Sequence, residues 1–335
     1  MNNGTVIWGA SGGVPFAKRL HANLAGTEGN SVILSDIVNG FFPVGETNFQ
    51  TNGSVRGKNV IIVQDVANAY APGSLNDKLM ATFLMADAAK RSGATSLHVV
   101  LPYLPYTRQD RPNKKHHEPA SAAVVADMFD SIARSSMQVY VHTIDLHSQP
   151  VETLYRDARL MNYQTSGVIA EFVKKNLCEE NLVVGSTDTA GSVRNKPLAE
   201  ALNSKLVGAV KIKDPVTYKI LEHYVQGDVK GKHVLVHDDM IDTGGTMLET
   251  VDLMLMEGAI GVSVSASHLL FTKNAEQKFA EYLKGGRIKT LITTNSVYKD
   301  EEFKARNPGI VFLPVEHIVA NGIRSIMEGR PVGYE

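Results

Sequence analysis

The segment VLVHDDMIDTGGT, residues 234–246, decides the fold of this chain because it joins a strand to a helix through a polar turn. Its apolar start, residues 234–236, predicts a buried strand, and the apolar periodicity of residues 247–256 predicts a helix. Two adjacent carboxylates, Asp238 and Asp239, follow the apolar run and are called the acidic pair. Strand, glycine turn and helix in this order are typical of parallel α/β sheets, in which ligands bind beyond the carboxyl ends of the strands.

The turn after the acidic pair has the composition of a phosphate site. Gly244 and Gly245 open the helix, so that backbone N–H groups and the positive end of the helix dipole are offered to an anion. Asp242, Thr243 and Thr246 complete this phosphate loop, and the two threonines add hydroxyl donors. The acidic pair suits the vicinal hydroxyls of a sugar or a divalent cation. Together the two features predict a pocket for a ribose that carries a phosphate.

Alternating strand-like and helical segments extend this architecture through most of the chain. A first series includes a predicted helix at residues 76–91, and a second series, which begins near residue 150, includes one at residues 193–202. We therefore predict an α/β protein with two similar domains, residues 1–150 and 151–320, each a mainly parallel sheet flanked by helices.

The bulk composition narrows the class of protein. The 335 residues carry a formal net charge of −1, which provides no general attraction to nucleic acid or to an anionic membrane. A single cysteine excludes an intrachain disulfide and favours a reducing compartment. No apolar run approaches the ~20 residues that span a bilayer, and the first residues lack the pattern of a signal peptide. We predict a cytoplasmic protein without a nucleic-acid or membrane partner.

Two basic segments follow predicted strands. Arg108, Gln109 and Arg111 belong to the segment RQDR, whose two guanidinium groups can clamp phosphates bidentately. A solvated loop with ion pairs has the same composition. Lys211 and Lys213 belong to a second basic segment, KIKDPVTY, at residues 211–218.

Three further residues are candidate metal or phosphate contacts. Asp145 and His147 lie two positions apart after a predicted strand, and in an extended chain both would point to the same side. Asp188 follows another predicted strand in a turn of small residues, which suits a carboxylate near Mg²⁺.

One common nucleotide motif is absent from the sequence, and a hydrolase motif is incomplete. No Walker A pattern occurs, so a P-loop does not hold the nucleotide. Residues 9–13, GASGG, match the G-x-S-x-G elbow of serine hydrolases, but the sequence identifies no partner Asp and His for Ser11.

Read together, these segments resemble the ribose-phosphate pyrophosphokinases, the family of phosphoribosyl pyrophosphate (PRPP) synthetases, over nearly the whole chain. The similar segments are FPVGE at 42–46, YTRQDR at 106–111, TIDLH at 143–147 and DDMIDTGGT at 238–246. Several positions depart from the family pattern: Val44 replaces an aspartate, residues 118–123 lack two of the family's cations, Lys213 stands where the family has arginine, and residues 324–335 lack the family's usual ending.

The resemblance implies two type I phosphoribosyltransferase-like domains and transfer of the β,γ-diphosphoryl group of Mg-ATP to the 1-hydroxyl of ribose 5-phosphate. It also implies a homo-oligomer built from dimers, with a hexamer as one candidate size. The implied roles are ATP binding by Phe42, Glu46, Arg108, Gln109, Arg111 and His147; Mg²⁺ binding by His147 and Asp188; ribose binding by Asp238 and Asp239; phosphate binding by Asp242, Thr243, Gly244, Gly245 and Thr246; and catalysis by Lys211, Lys213 and Arg108.

Three alternative functions stay open at this point. The acceptor can be a larger ribose phosphate such as ADP-ribose, since the sequence of the phosphate loop predicts phosphate binding and does not specify what else is attached to that phosphate. A phosphoribosyltransferase would use PRPP and would need neither the RQDR nor the TIDLH segment. An inactive regulatory homologue would have no need of His147, Asp188 and Lys211.

Overall fold

The computed structural model describes residues 4–25, 31–112, 117–134, 137–177, 180–213 and 220–333, with the backbone alone at 190, 211–213 and 220–223. The chain divides into two compact units. Unit 1 contains Met1–Gln164, Ser296–Lys299 and Val315–Glu335, and unit 2 contains Thr165–Asn295 and Asp300–Pro314. The domain limits 1–150 and 151–320 stay a prediction.

Unit 1 contains a parallel sheet and a separate hairpin. Its described strands are β1 (Thr5–Gly9), β2 (Val32–Ser35), β3 (Ile37–Phe41), β4 (Thr47–Thr51), β5 (Asn59–Val63), β6 (Ser96–Val100), β7 (Gln138–Ile144) and β8 (Arg159–Tyr163). The six-stranded sheet has the order β2-β1-β5-β6-β7-β8 with parallel neighbours throughout, whereas β3 and β4 pair antiparallel. The inner strands β5 and β6 are buried along nearly their whole length, as parallel strands covered on both faces must be.

Helices α1 (Val14–Ala25), α2 (Leu75–Arg91) and α3 (Ser121–Ala133) also belong to unit 1. The start of α2 is set by a capping box. The Asp77 backbone N–H donates to Ser74 Oγ at 3.2 Å, and the Ser74 N–H donates to Asp77 Oδ2 at 2.7 Å. The helix predicted at residues 76–91 is confirmed within one residue.

Unit 2 contains a second, larger sheet. Its described strands are β9 (Leu182–Ser186), β10 (Lys205–Lys213), β11 (Ile220–Gln226), β12 (His233–Ile241), β13 (Gly261–Leu269), β14 (Leu291–Thr294) and β15 (Ile310–Leu313). The order is β11-β10-β9-β12-β13-β14-β15, and β11 is the antiparallel member. The predicted α/β fold with mainly parallel sheets is confirmed.

The helices of unit 2 are α4 (Ser166–Asn176), α5 (Thr189–Arg194), α6 (Lys196–Ala201), α7 (Gly245–Met256), α8 (Ala275–Lys284) and α9 (Glu301–Arg306). The helical segment predicted at residues 193–202 is divided at Asn195 between α5, which ends at Arg194, and α6, which begins at Lys196. Pro197 has no N–H with which to continue α5, and it occupies the first turn of α6, where none is required.

The core of unit 2 lies on both faces of its sheet. Val234 and Val236 of β12 pack into one apolar cluster with α7, and Leu235 packs into another with α4 and α6. Side chains alternate between the two faces of a strand, so a strand covered on both sides must be apolar at every position. This burial explains the continuous apolar run at residues 234–236.

After unit 2 the chain returns to unit 1 as helix α10 (Glu316–Met327), which packs against α1. Glu316 is buried and forms an ion pair with Arg19 of α1. The sequence patterns predicted neither this return nor the hairpin of β3 and β4.

Candidate active site

The acidic pair lies inside β12. The strand continues to Ile241, so Asp238 and Asp239 still belong to the sheet instead of following it. Asp239 is buried, and the Asp238 carboxylate is 17% exposed. Thr187 Oγ donates to Asp238 Oδ2 at 2.6 Å. Burial, followed by the neighbouring charge of Asp239, raises the pKa of Asp238 to about 6.

A guanidinium group bridges the acidic pair. Arg194 Nη2 lies 2.9 Å from Asp238 Oδ1 and 3.1 Å from Asp239 Oδ1. Burial opposes the charge of Arg194, but the charges of Asp239, Asp238 and Asp188 outweigh it and raise the pKa of the guanidinium. The sequence analysis missed Arg194, because a lone arginine at the end of a short helix carries no recognisable pattern.

Asp188 is the N-cap of α5. Its Oδ1 accepts a hydrogen bond of 2.6 Å from the Gly191 N–H, which fixes the orientation of an otherwise exposed carboxylate. After α5, the buried amide of Asn195 donates to Gly185 O at 3.0 Å and to His237 O at 2.9 Å. The turn after β9 is thereby connected to the backbone of β12.

The phosphate loop connects β12 to α7 with a geometry that requires glycine. Gly244 caps α7 with φ of 76°, and a Cβ at this position would lie 2.5 Å from Phe279 Cε2. A Cβ at Gly245 would meet nothing within 4 Å, so the backbone there faces open space. Thr272 holds Asp242 through a hydroxyl hydrogen bond of 2.5 Å. Since α7 has no side-chain cap, the N–H groups of its first turn can be offered to an anion.

The RQDR segment follows β6 in unit 1, and the side chains of Arg108, Gln109 and Arg111 are exposed. Ser121 Oγ donates to Gln109 Oε1 at 2.5 Å, and Ser148 Oγ donates to Asp110 Oδ2 at 2.6 Å. The second bond connects RQDR to the chain just after His147. Adjacent parallel strands, β6 and β7, therefore bring the two predicted ATP segments together at their carboxyl ends.

The extended conformation predicted for residues 145–147 is wrong. Strand β7 ends at Ile144, and Asp145 adopts a left-handed φ of 37°, so the spacing argument for Asp145 and His147 does not apply. The turn is held by Leu146 N–H, which donates to Asn162 Oδ1 at 3.1 Å.

A buried polar chain lies in β6, β7 and β8 beneath these loops. His98 Nδ1 and His142 Nε2 are 3.0 Å apart, and His142 Nδ1 lies 2.8 Å from the Tyr163 hydroxyl. Burial lowers the pKa of His98 to about 4. Burial, then the neighbouring His98, lowers the pKa of His142 well below its ordinary value. Both imidazoles are therefore neutral at physiological pH.

Phe42 and Glu46 lie in the turn between β3 and β4. The Phe42 N–H donates to Glu46 O at 2.8 Å, and Gly45 adopts φ of 95°. Phe42 is 50% exposed and Val44 is 80% exposed, so both are accessible to a flat ring such as adenine. Lys211 and Lys213 belong to β10, but their side chains lie outside the described residues.

The GASGG turn has a packing role. The Gly12 N–H donates to Gln64 Oε1 at 2.9 Å, and a Cβ on Gly13 would overlap the carbonyl group of Val63. This close approach to β5 accounts for the glycines without a hydrolase elbow.

The two predicted Mg²⁺ residues, Asp188 and His147, offer different ligand atoms to the metal. Mg²⁺ prefers oxygen ligands and usually retains waters and substrate phosphates beside one or two carboxylates. The exposed, oriented carboxylate of Asp188 fits this preference, whereas the imidazole of His147 offers nitrogen. Within the described parts of the chain, no three His, Cys, Asp or Glu side chains form a ready-made metal site.

An acidic pair on one strand, followed by a glycine turn and a helix in a mainly parallel α/β chain, is typical of proteins that handle phosphoribosyl groups. Comparison with known proteins identifies the family. Residues 11–132 match the family model described as the N-terminal domain of ribose phosphate pyrophosphokinase, and residues 178–335 match the phosphoribosyl synthetase-associated domain.

Curated relatives agree with these matches. The chain is 32% identical to a ribose-phosphate pyrophosphokinase of Pasteurella multocida over 88% of each chain. It is 30% identical to that of Aquifex aeolicus over 99% of this chain and 98% of the relative. A solved phosphoribosylpyrophosphate synthetase from Mycobacterium smegmatis is 26% identical, with a TM-score of 0.84, over 98% of this chain and 100% of that one.

The chain belongs to the ribose-phosphate pyrophosphokinase family, as the sequence analysis predicted. Among the described residues, no helix has the length and apolar character needed to cross a membrane.

Proposed function

We propose that this protein transfers the β,γ-diphosphoryl group of Mg-ATP to the 1-hydroxyl of ribose 5-phosphate, producing PRPP and AMP. The observation that supports this most strongly is the acidic pair followed by the phosphate loop on β12, in a chain related to ribose-phosphate pyrophosphokinases over almost its whole length. The proposal includes a cytoplasmic homo-oligomer built from dimers.

Ribose 5-phosphate binds to unit 2. The phosphate loop receives the 5-phosphate through backbone N–H groups at the start of α7 and through the hydroxyls of Thr243 and Thr246. The carboxylates of Asp238 and Asp239 accept hydrogen bonds from the ribose hydroxyls. The sugar is thereby held at both ends, which orients its 1-hydroxyl.

ATP binds through residues of unit 1. Phe42 and Glu46 contact adenine, and Arg108, Gln109 and Arg111 hold the phosphates, with His147 nearby in the chain after β7. His147 is half-buried, whereas the other five side chains are exposed and accessible to a large polyanion.

In the reaction, the 1-hydroxyl oxygen bonds to the β-phosphorus of ATP, and the bond from that phosphorus to the oxygen of the α-phosphate breaks. AMP leaves, and the hydroxyl proton passes to solvent. This chemistry needs positioning and neutralisation of charge. Lys211 and Lys213 stabilise the charge of the transferred group, together with Arg108. Asp188 would offer a carboxylate and His147 an imidazole to Mg²⁺, and the metal would supply neutralisation of phosphate charge.

The test is incubation with Mg-ATP and either ribose 5-phosphate or ADP-ribose, with AMP measured by chromatography. AMP formed with ribose 5-phosphate supports the proposal. If AMP forms from Mg-ATP with ADP-ribose but not with ribose 5-phosphate, ADP-ribose is the acceptor instead. If no AMP forms with either acceptor, diphosphoryl transfer is contradicted.

A single substitution tests the catalytic assignment. Lys211→Ala should reduce turnover by about 10²–10³-fold, because a charge-stabilising group is removed, while ATP binding measured by calorimetry persists. Lys304→Ala, an exposed lysine on α9, is the control. Full activity in the Lys211 variant would contradict its assigned role.

A further inference from the structure

Arg194 contacts both members of the acidic pair. A single nitrogen, Nη2, lies within 3.1 Å of a carboxylate oxygen on each aspartate. The Arg194 side chain is 20% exposed, and the carboxylates of Asp238 and Asp239 are 17% and 4% exposed. The three groups are thus largely removed from water, where the geometry of an ion pair matters most.

The charge of the acidic pair requires a cation of this kind. Two adjacent buried carboxylates repel each other, and this repulsion turns them apart or favours protonation of one of them. Asp188 adds a third negative charge within electrostatic reach of the same guanidinium. Arg194 therefore reduces the repulsion within a group of three aspartates.

The backbone holds Arg194 in this place. Asp188 caps the start of α5, and Asn195, directly after Arg194, is hydrogen-bonded to backbone carbonyls of β9 and β12. The guanidinium consequently approaches the acidic pair from a helix fixed at both ends. Thr187 holds the second oxygen of Asp238 from the same turn.

We propose that Arg194 is a positioning residue for the sugar: it holds the carboxylates of Asp238 and Asp239 side by side in the arrangement that receives the ribose hydroxyls. The inference rests on the proposed function, in which the acidic pair binds ribose. A single nitrogen of the guanidinium contacts both carboxylates, and the planar group fixes the direction of its N–H donors, so a lysine ammonium should replace it only in part.

The experiment compares Arg194→Gln and Arg194→Lys with wild type in the AMP-forming assay, with each substrate varied in turn. Arg194→Gln should raise the KM for ribose 5-phosphate about tenfold or more, since a buried ion pair loses its cation. The KM for ATP should change less than about twofold, because ATP contacts other residues, and Arg194→Lys should recover part of the loss.

Matched variants separate positioning from general damage. Arg306→Gln removes an exposed arginine of unit 2 that pairs with Glu302 and should leave both KM values unchanged. Thr187→Val removes the hydroxyl contact of Asp238 and should raise the KM for ribose 5-phosphate a few-fold. If Arg194→Gln does not fold, as judged by thermal unfolding, Arg194→Lys and Thr187→Val provide the same comparison of substrates.

An unchanged KM for ribose 5-phosphate in the Arg194 variants would overturn the inference, as would an equal rise for both substrates. If wild type forms no AMP, the proposed function fails separately. Calorimetric binding of ribose 5-phosphate to wild type and to the variants then tests Arg194: weaker binding in the variants supports the inference, and equal binding or none overturns it.

Discussion

In unit 2 the phosphate loop offers backbone N–H groups at the start of α7, whereas in unit 1 the RQDR segment offers exposed side chains. The two regions are also supported differently. The phosphate loop rests on the apolar ring of Phe279, and RQDR is held by hydrogen bonds from Ser121 and Ser148. The backbone site depends on a glycine at position 244, where a side chain would be strained, while the side-chain site depends on the particular cations that it carries.

The largest expected effect comes from removing a cation of the side-chain site. Arg108→Ala should lower kcat/KM for ATP by about 10²–10³-fold, or ~2.7–4 kcal/mol. Thr246→Ala should lower kcat/KM for ribose 5-phosphate only about fivefold, since the backbone donors remain and one hydrogen bond is worth ~1 kcal/mol. Steady-state kinetics measure both, with Arg134→Ala, an exposed arginine of unit 1, as the control. Equal losses of kcat/KM in the Arg108 and Thr246 variants would contradict the distinction between a side-chain site and a backbone site.

The buried polar chain of His98, His142 and Tyr163 should make the stability of unit 1 sensitive to acid. The pKa of His98 falls from 6.5 to about 4 on burial, so the unfolded chain binds the proton first as pH falls. The contribution of His98 to the free energy of unfolding is therefore fully present above pH 6.5, and roughly 3 kcal/mol of it is lost as the pH falls towards 4.

Thermal unfolding of wild type and His98→Gln between pH 7 and 4 measures this effect. The variant should be less stable at pH 7, and its deficit should shrink as pH falls. Ser131→Ala, a non-titrating change on the exposed side of α3, is the control. A deficit that stays constant with pH would contradict the assignment.

The backbone site should be sensitive to a single methyl group. Gly244→Ala places a Cβ against Phe279 at a left-handed φ and should cost about 2 kcal/mol of unfolding free energy. Gly245→Ala, where a Cβ meets nothing within 4 Å, should have almost no effect. Denaturant unfolding measures both, and similar stabilities for the two variants would mean that the loop does not need glycine at position 244.

The smallest expected effect concerns the contact that orients RQDR. Ser148→Ala removes the hydrogen bond to Asp110 and should raise the KM for ATP about fivefold, since one hydrogen bond contributes ~1 kcal/mol. The KM for ribose 5-phosphate should not change. Ser131→Ala again provides the control, and an unchanged KM for ATP would show that RQDR is oriented without Ser148.

Local sequence predicted the elements whose signals are local. The helix at residues 76–91 follows from its helical pattern, and the strand at residues 234–236 follows from a continuous apolar run. The division at Asn195 was missed although Pro197 marks it in the sequence. The left-handed turn at Asp145 was mispredicted because it depends on a single backbone angle, which residue spacing does not record. The roles of the individual site residues stay predictions.

Residue patterns along one strand, turn and helix were sufficient to predict the two mainly parallel sheets, the family and the position of the phosphate loop. The surroundings of the acidic pair, in contrast, depend on how the chain folds. Arg194 and Thr187 reach Asp238 from a different strand–helix connection, more than 40 residues earlier in the chain. Such contacts form through the pairing of β9 with β12, which residue spacing within either segment does not record.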